Sequence, residues 1–136
     1  MRKVFLDVNV VMDCFLERGE FSEQAKQILY LADTININVS VMTIIFLHYR
    51  MEREKINENK ILTVLNELLK IITLIELDIQ TILLSIHQPI SKDFEDNVQY
   101  YSAIKNAEVI ISRNVKDFKN SSIPVMTPEE FLKKKS

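Results

Sequence analysis

Short β-branched runs alternate with segments of helical period along the whole of this chain, and that alternation restricts its fold more than any other feature. It is the pattern of an α/β domain with a mostly parallel central sheet flanked by helices. Residues 3–6 read as a buried strand, 36–41 alternate polar with β-branched residues and read as a second, 71–75 as a third, and 109–112 as a further buried strand. Between them Phe21, Ala25, Ile28, Leu29 and Ala32 form a 3.6-residue stripe with Ser22 placed to cap it. Helices are also expected over 43–53, after the cap Asn57, over 78–87 and over 94–107. Thr127-Pro128-Glu129-Glu130 joins a capping box to a proline at the first helical position, so a terminal helix starts there. With 136 residues, no repeat and no linker, a single domain over 1–136 is expected.

Composition then removes whole classes of function. The one glycine, Gly19, cannot supply a GxGxxG or Walker A loop, where several glycines let backbone approach phosphate. The one cysteine, Cys14, closes no intrachain disulfide and builds no cysteine zinc cluster. The longest uncharged run, 34–49, carries Thr, Asn and Ser and falls short of the ~20 apolar residues of a membrane span. Asp7 and Asp13 interrupt what would be the apolar region of a signal peptide. No membrane role and a cytoplasmic location are therefore expected. A net charge of −2 and a pI near 5.7 provide no global field for nucleic acid, so any such contact must be local and carried by metal.

Three acids fall where such a fold builds sites. Asp7 closes the first strand, Asp117 follows the strand at 109–112, and Asp96 opens the helix that precedes it. Ligands of open parallel sheets bind beyond the carboxyl ends of the strands. Carboxylates gathered there repel one another unless a cation neutralises them, and with no His or Cys cluster Mg²⁺ or Mn²⁺ is favoured over zinc. A simpler role for Asp7, as cap of the segment after it, stays open.

The residues carrying these acids resemble the motifs of the PIN-domain ribonucleases, the family that includes the VapC-type toxins of bacterial toxin–antitoxin pairs. Val4-Phe5-Leu6-Asp7-Val8-Asn9-Val10-Val11-Met12-Asp13 with Arg18 is similar to the family's first motif. Asp93-Phe94-Glu95-Asp96-Asn97-Val98-Gln99-Tyr100 is similar to the third, and Ile110-Ile111-Ser112-Arg113-Asn114-Val115-Lys116-Asp117-Phe118 to the fourth. The tail from Ile123 to Leu132 fits the family's ending. The resemblance implies a PIN-like fold whose acids bind Mg²⁺ or Mn²⁺ and activate water to cleave RNA, in a protein checked by an antitoxin. It implies Asp7, Asp96 and Asp117 as catalytic, metal-binding acids and Asn9, Ser112 and Asn114 as supporting residues. Arg113 and Lys116 beside them are candidates for RNA phosphate contacts.

One position departs from the pattern. The family usually carries an acid three residues beyond a Thr or Ser on the helix after strand two; counted from Thr43, that position holds Phe46, and Glu52 and Glu54 lie too far along to replace it. Hence an alternative function, a weakened or inactive PIN-like binding module. A haloacid-dehalogenase-type phosphotransferase would want an acid at position 9, which is Asn9. Asp13 is either a partner of Arg18 or a further acid of the site, while Asp93 and Glu95 suit a negative first helical turn. His48 and His87 lack metal-site spacing, Tyr100 and Tyr101 are either core or base-stacking residues, and Lys133-Lys134-Lys135 reads as a solvated face. The apolar residues of 57–72 spread wider than one stripe, which fits a homodimer, a partner helix, or a central helix covered within the monomer.

Overall fold

The computed structural model describes residues 1–135. Five strands form one parallel sheet in the order β3-β2-β1-β4-β5, with β1 Arg2–Leu6, β2 Ile35–Ser40, β3 Thr73–Ile75, β4 Val109–Ile111 and β5 Val125–Met126. The helices are α1 Val8–Phe15, α2 Glu20–Leu29, α3 Val41–Arg53, α4 Glu58–Leu69, α5 Ile79–His87, α6 Phe94–Ala103 and α7 Pro128–Lys135, and a 3-10 turn spans Val115–Phe118. The expected α/β class with a parallel sheet between helices is the class observed.

The central strands are continuous apolar runs because helices cover both of their faces. Alternation sends Val4, Leu6, Val109 and Ile111 into a core with α1 to α4 and α7, while Phe5 and Ile110 enter a second core with Tyr100, Tyr101 and Phe118. Each fully buried Val, Leu, Ile or Phe contributes about 1.5–3 kcal/mol. β1 stands in the middle, with β2 on one side and β4 on the other, so the strand order reverses there. That reversal opens a crevice beyond the ends of β1 and β4, at Asp7 and Ser112.

Several boundaries differ from the sequence expectation for local reasons. Ser22 does not cap α2: Gly19, at φ 63°, does, and the Ser22 hydroxyl instead donates to the Leu16 carbonyl at 2.6 Å and accepts from the Arg18 amide at 2.9 Å. Ser40 caps α3 by accepting from the Thr43 amide, so that helix starts ahead of Thr43. Helix α6 ends at Ala103 rather than at 107, in turns closed by the Asn106 and Ala107 amides on the Ala103 carbonyl. Helix α1 and strand β5 carried no separate signal beyond the motifs that contain them. Asn57 caps as expected, Asp78 caps α5 rather than beginning it, and Thr127 and Glu130 exchange both bonds of the expected capping box.

Candidate active site

Asp7 ends β1 and caps α1 at once, which fixes its backbone between two regular elements. Its carboxylate is 4% exposed and meets only uncharged donors. Oδ1 accepts from the Val8 amide at 2.9 Å and the Gln99 amide at 3.3 Å; Oδ2 accepts from Ser112 Oγ at 2.7 Å and Asn9 Nδ2 at 3.3 Å. A carboxylate has about four lone-pair sites, so these donors fill it. Burial pushes its pKa up, against the lowering effect of the Ser112, Val8 and Gln99 bonds, and the charge of Asp117 adds to the rise.

Asp96 and Asp117 come to Asp7 from other elements. Asp96 lies in the first turn of α6, behind the cap Asp93, and Asp117 lies in the 3-10 turn after β4. Partial burial and the charges of Asp93, Asp117, Asp7 and Glu95 push Asp96 up to about 7. The three acids named from the sequence thus feel one another, and none of the ion pairs found among the described residues involves any of them.

The supporting residues are also gathered. Ser112 Oγ accepts from the Asn114 amide at 3.0 Å while donating to Asp7, and Asn9 Oδ1 accepts from the Arg113 amide at 3.3 Å. Asn9 and Ser112 therefore touch Asp7 through side chains, whereas Asn114 acts through its backbone and its side chain is exposed. The residue sequence reading missed is Gln99. Fully buried in α6, it bonds Asp7, donates to Thr43 Oγ1 at 3.0 Å and accepts from Ser40 Oγ, tying the ends of β1 and β2 to the acid-bearing helix. The available signal was its spacing: Gln99 follows Asp96 by one helical turn and shares its face.

Other candidates are placed elsewhere. Asp13, 1% exposed, is gripped by Arg113 through Nε at 2.7 Å and lies 3.5 Å from Arg18. The Arg113 guanidinium also stacks 4.5 Å over the Phe21 ring, so it fastens α1, α2 and the end of β4. Lys116 is exposed. His48 pairs with Glu58 at 3.1 Å, away from the acids, and His87 is the exposed last residue of α5. Tyr100 and Tyr101 are buried edge-to-face, and their hydroxyls bond Ser122 and the Gln88 carbonyl. Cys14 is a buried thiol pushed up to about 12 by burial and by Asp13, too high for a nucleophile. Lys133 and Lys134 are exposed, and the Lys135 side chain lies outside the described residues.

Phe46 lines a cavity between α1 and α3 with Val8, Met12, Tyr49, Arg50 and Glu95, of which Val8 and Glu95 are the chain neighbours of Asp7 and Asp96. As for a metal, no three His, Cys, Asp or Glu side chains among the described residues form a ready cage. The donor chemistry nevertheless fits Mg²⁺ or Mn²⁺: mutually repelling carboxylates, Asp7 buried and Asp96 partly so, with no ion-paired cation among the described residues and no nitrogen or sulfur ligand. Such ions commonly take one or two carboxylates and keep water for the rest.

A family model described as PIN domain matches residues 3–116. The chain belongs to the PIN-domain family. It is 33% identical over 139 residues to Ribonuclease VapC1 of Aquifex aeolicus (strain VF5), covering 97% of this chain and 94% of that protein. Among solved structures the PIN-domain chain is similar to VapBC2 from Rickettsia felis bound to a DNA fragment from their promoter, with a TM-score of 0.65 and 16% identity over 91% of this chain and 96% of that one. It is also similar to FitAB bound to an IR36 DNA fragment, with a TM-score of 0.63 and 15% identity over 92% and 94%. At those identities the likeness is one of fold. The family match ends one residue short of Asp117, whose place in the cluster rests on the electrostatic contact described above.

Proposed function

We propose that this PIN-domain protein is a metal-dependent endoribonuclease, the toxin of a toxin–antitoxin pair. The observation that carries the reading is the mutual repulsion of Asp7, Asp96 and Asp117 beyond β1 and β4, with Asp7 buried, Asp96 partly so, and none of the three ion-paired with a cation among the described residues. The resemblance to Ribonuclease VapC1 supports ribonuclease chemistry. Asp7, Asp96 and Asp117 are the residues that would hold Mg²⁺ or Mn²⁺, and a bound ion supplies a more acidic water and stabilises charge on the scissile phosphate. Ser112, Asn9 and Gln99 keep the Asp7 carboxylate in one orientation, which matters because misplacement by about 1 Å costs on the order of 10²-fold in rate. The Asn9 and Gln99 bonds, both 3.3 Å, are the weakest on Asp7 and the ones it yields most readily to another ligand.

An antitoxin belongs to the same reading. Leu62, Leu69 and Ile71, exposed on and just after α4, support a protein contact, with a second copy of this chain as the alternative occupant. The second functional reading, an inactive binding module, is favoured by Phe46 alone, since a ring neither ligates metal nor accepts a proton. Purified protein incubated with mixed cellular RNA, with Mg²⁺, Mn²⁺ or chelator and beside Asp7→Asn, decides between them. Cleavage that requires metal and disappears in the variant is expected. Cleavage that persists in chelator refutes the metal dependence, and a folded parent that binds RNA without cutting it supports the module.

A further inference from the structure

Two cavities differ in charge, one lined by Glu95, the chain neighbour of Asp96, and the other by Asp117 itself. The one lined by Phe46 is balanced: Arg50 pairs with Glu54 at 3.3 Å, Arg53 donates to the Tyr49 hydroxyl, and Glu95 faces the same space. The other, about 490 Å³, runs from Asp117 past Lys92, Lys116 and Lys119. None of these three ammonium groups has an ion-pair or hydrogen-bond partner among the described residues, whereas Lys70 and Lys105 each pair with a carboxylate at 3.0 Å. In a chain of net charge −2, three unpaired lysines in one groove are a local reversal of sign.

The backbone holds the lysines in place. Lys116 and Lys119 stand three residues apart on the 3-10 turn and the residue that ends it, and at three residues per turn such positions share a face. Lys92 leaves the opposite wall from the loop before α6. That loop is clamped from both sides: buried Asn97 accepts from the Ile90 and Ser91 amides at 2.8 and 3.0 Å and donates to the Ser91 carbonyl, and Asn120 donates to the Ile90 carbonyl at 3.1 Å. The groove is thus built in advance and does not need a ligand to shape it.

We infer that Lys92, Lys116 and Lys119 form a phosphate track that receives the backbone of single-stranded RNA where it leaves the acidic cluster at Asp117. The inference rests on the ribonuclease reading and adds to it the binding residues and the side of the site from which the strand extends. Arg113 is not part of the track, because Asp13 and Phe21 occupy its guanidinium. A cavity of about 490 Å³ is on the scale of a small-ligand site, and the experiment below distinguishes a single strand from a duplex.

The test is fluorescence anisotropy of a short, mixed-sequence single-stranded RNA with the full chain in chelator, over a salt series. Lys92→Ala, Lys116→Ala and Lys119→Ala are compared singly and together, with Lys60→Ala/Lys70→Ala, on α4 and at its C-cap, as the control. Neutralised single-strand phosphates each contribute a slope of about −0.7 in log K against log salt, so the triple variant should flatten the slope by about 2 and bind at least about tenfold more weakly at low salt. The control should leave both unchanged. Parent-like slope and affinity in the folded triple variant overturn the track, as does tighter binding of duplex DNA through the same lysines. If the parent cuts RNA while the triple variant binds like the parent, the track fails and the ribonuclease reading stands. If binding depends on the lysines but no RNA is cut in Mn²⁺, the track stands and the ribonuclease reading fails.

Discussion

Asp7 and Asp13 belong to the same helix, one capping it and the other in its last turn, and both are nearly sealed from solvent at 4% and 1% exposure. Their surroundings are opposite. Asp13 faces two arginines; Asp7 faces two amide side chains, a hydroxyl and a backbone amide, with the acids Asp96 and Asp117 beyond. A carboxylate that holds elements together is neutralised within the fold, because an unpaired buried charge is costly. One left to uncharged donors keeps its charge available for something that arrives later, and the molecule bears that cost as a raised pKa. The sequence marked Asp7 as a site acid and left Asp13 as either a partner of Arg18 or a further acid; the identity of their partners separates them.

The sharpest test of this contrast is activity. Asp7→Asn should lower metal-dependent RNA cleavage by about 10³-fold, equivalent to about 4 kcal/mol of barrier. Its thermal midpoint in chelator should hold or rise, since a crowded negative charge has been removed. Cleavage within tenfold of the parent would erase the distinction between the two acids.

Asp13→Ala should do the reverse and cost stability first. Removing one member of a buried ion pair costs about 3–5 kcal/mol when its partner stays buried. Arg113 and Arg18 are 25% and 24% exposed and recover some hydration, so about 2–3 kcal/mol is expected in urea unfolding. A loss below about 1 kcal/mol would mean that the arginines do not bind the elements together.

A smaller effect should appear in the pH dependence of Asp96. Its folded pKa of about 7 lies above the ordinary value of 3.8, so the folded state holds this proton more tightly than the unfolded chain. The resulting stability is complete below about pH 4 and is lost as pH rises through 7. In chelator, Asp96→Asn should therefore have a higher thermal midpoint than the parent at pH 8, with the gap closing toward pH 4. A gap that is constant with pH would place the origin of the effect outside the acid cluster.

The smallest change is expected from Phe46→Glu, which adds an acid to the cavity that Val8 and Glu95 also line. It should lower the Mn²⁺ concentration for half-saturation several-fold by calorimetry, each tenfold being about 1.4 kcal/mol. Equal or weaker binding in a folded variant would show that position 46 does not reach the ion.

Much of this was legible in one dimension. The 2.0 and 3.6 periods exposed the sheet and most helices, Thr127 with Glu130 marked α7, and Asp7, Asp96 and Asp117 stood out at strand ends and a helix start. Two kinds of feature were not legible. Caps depend on φ and on who donates to whom, so Gly19 capped where Ser22 was expected. Long-range partners leave no local period: Gln99 reaches Asp7 across 92 residues, and Arg113 reaches Asp13 across 100.

What the sequence determined by itself is the layered α/β plan and the family, because both are written in local order: apolar periodicity, capping chemistry and acids at fixed offsets from strands. What the tertiary structure alone decided is which charges are answered. Arg113 and Lys116 stand three residues apart on the same segment and look equivalent as a string. Packing of α1 and α2 against the end of β4 brings Asp13 and Phe21 to Arg113, and the loop before α6 brings only Lys92 into the groove with Lys116. Electrostatic character depends on the few ångströms around a group, and folding sets those neighbours from positions far apart in the chain.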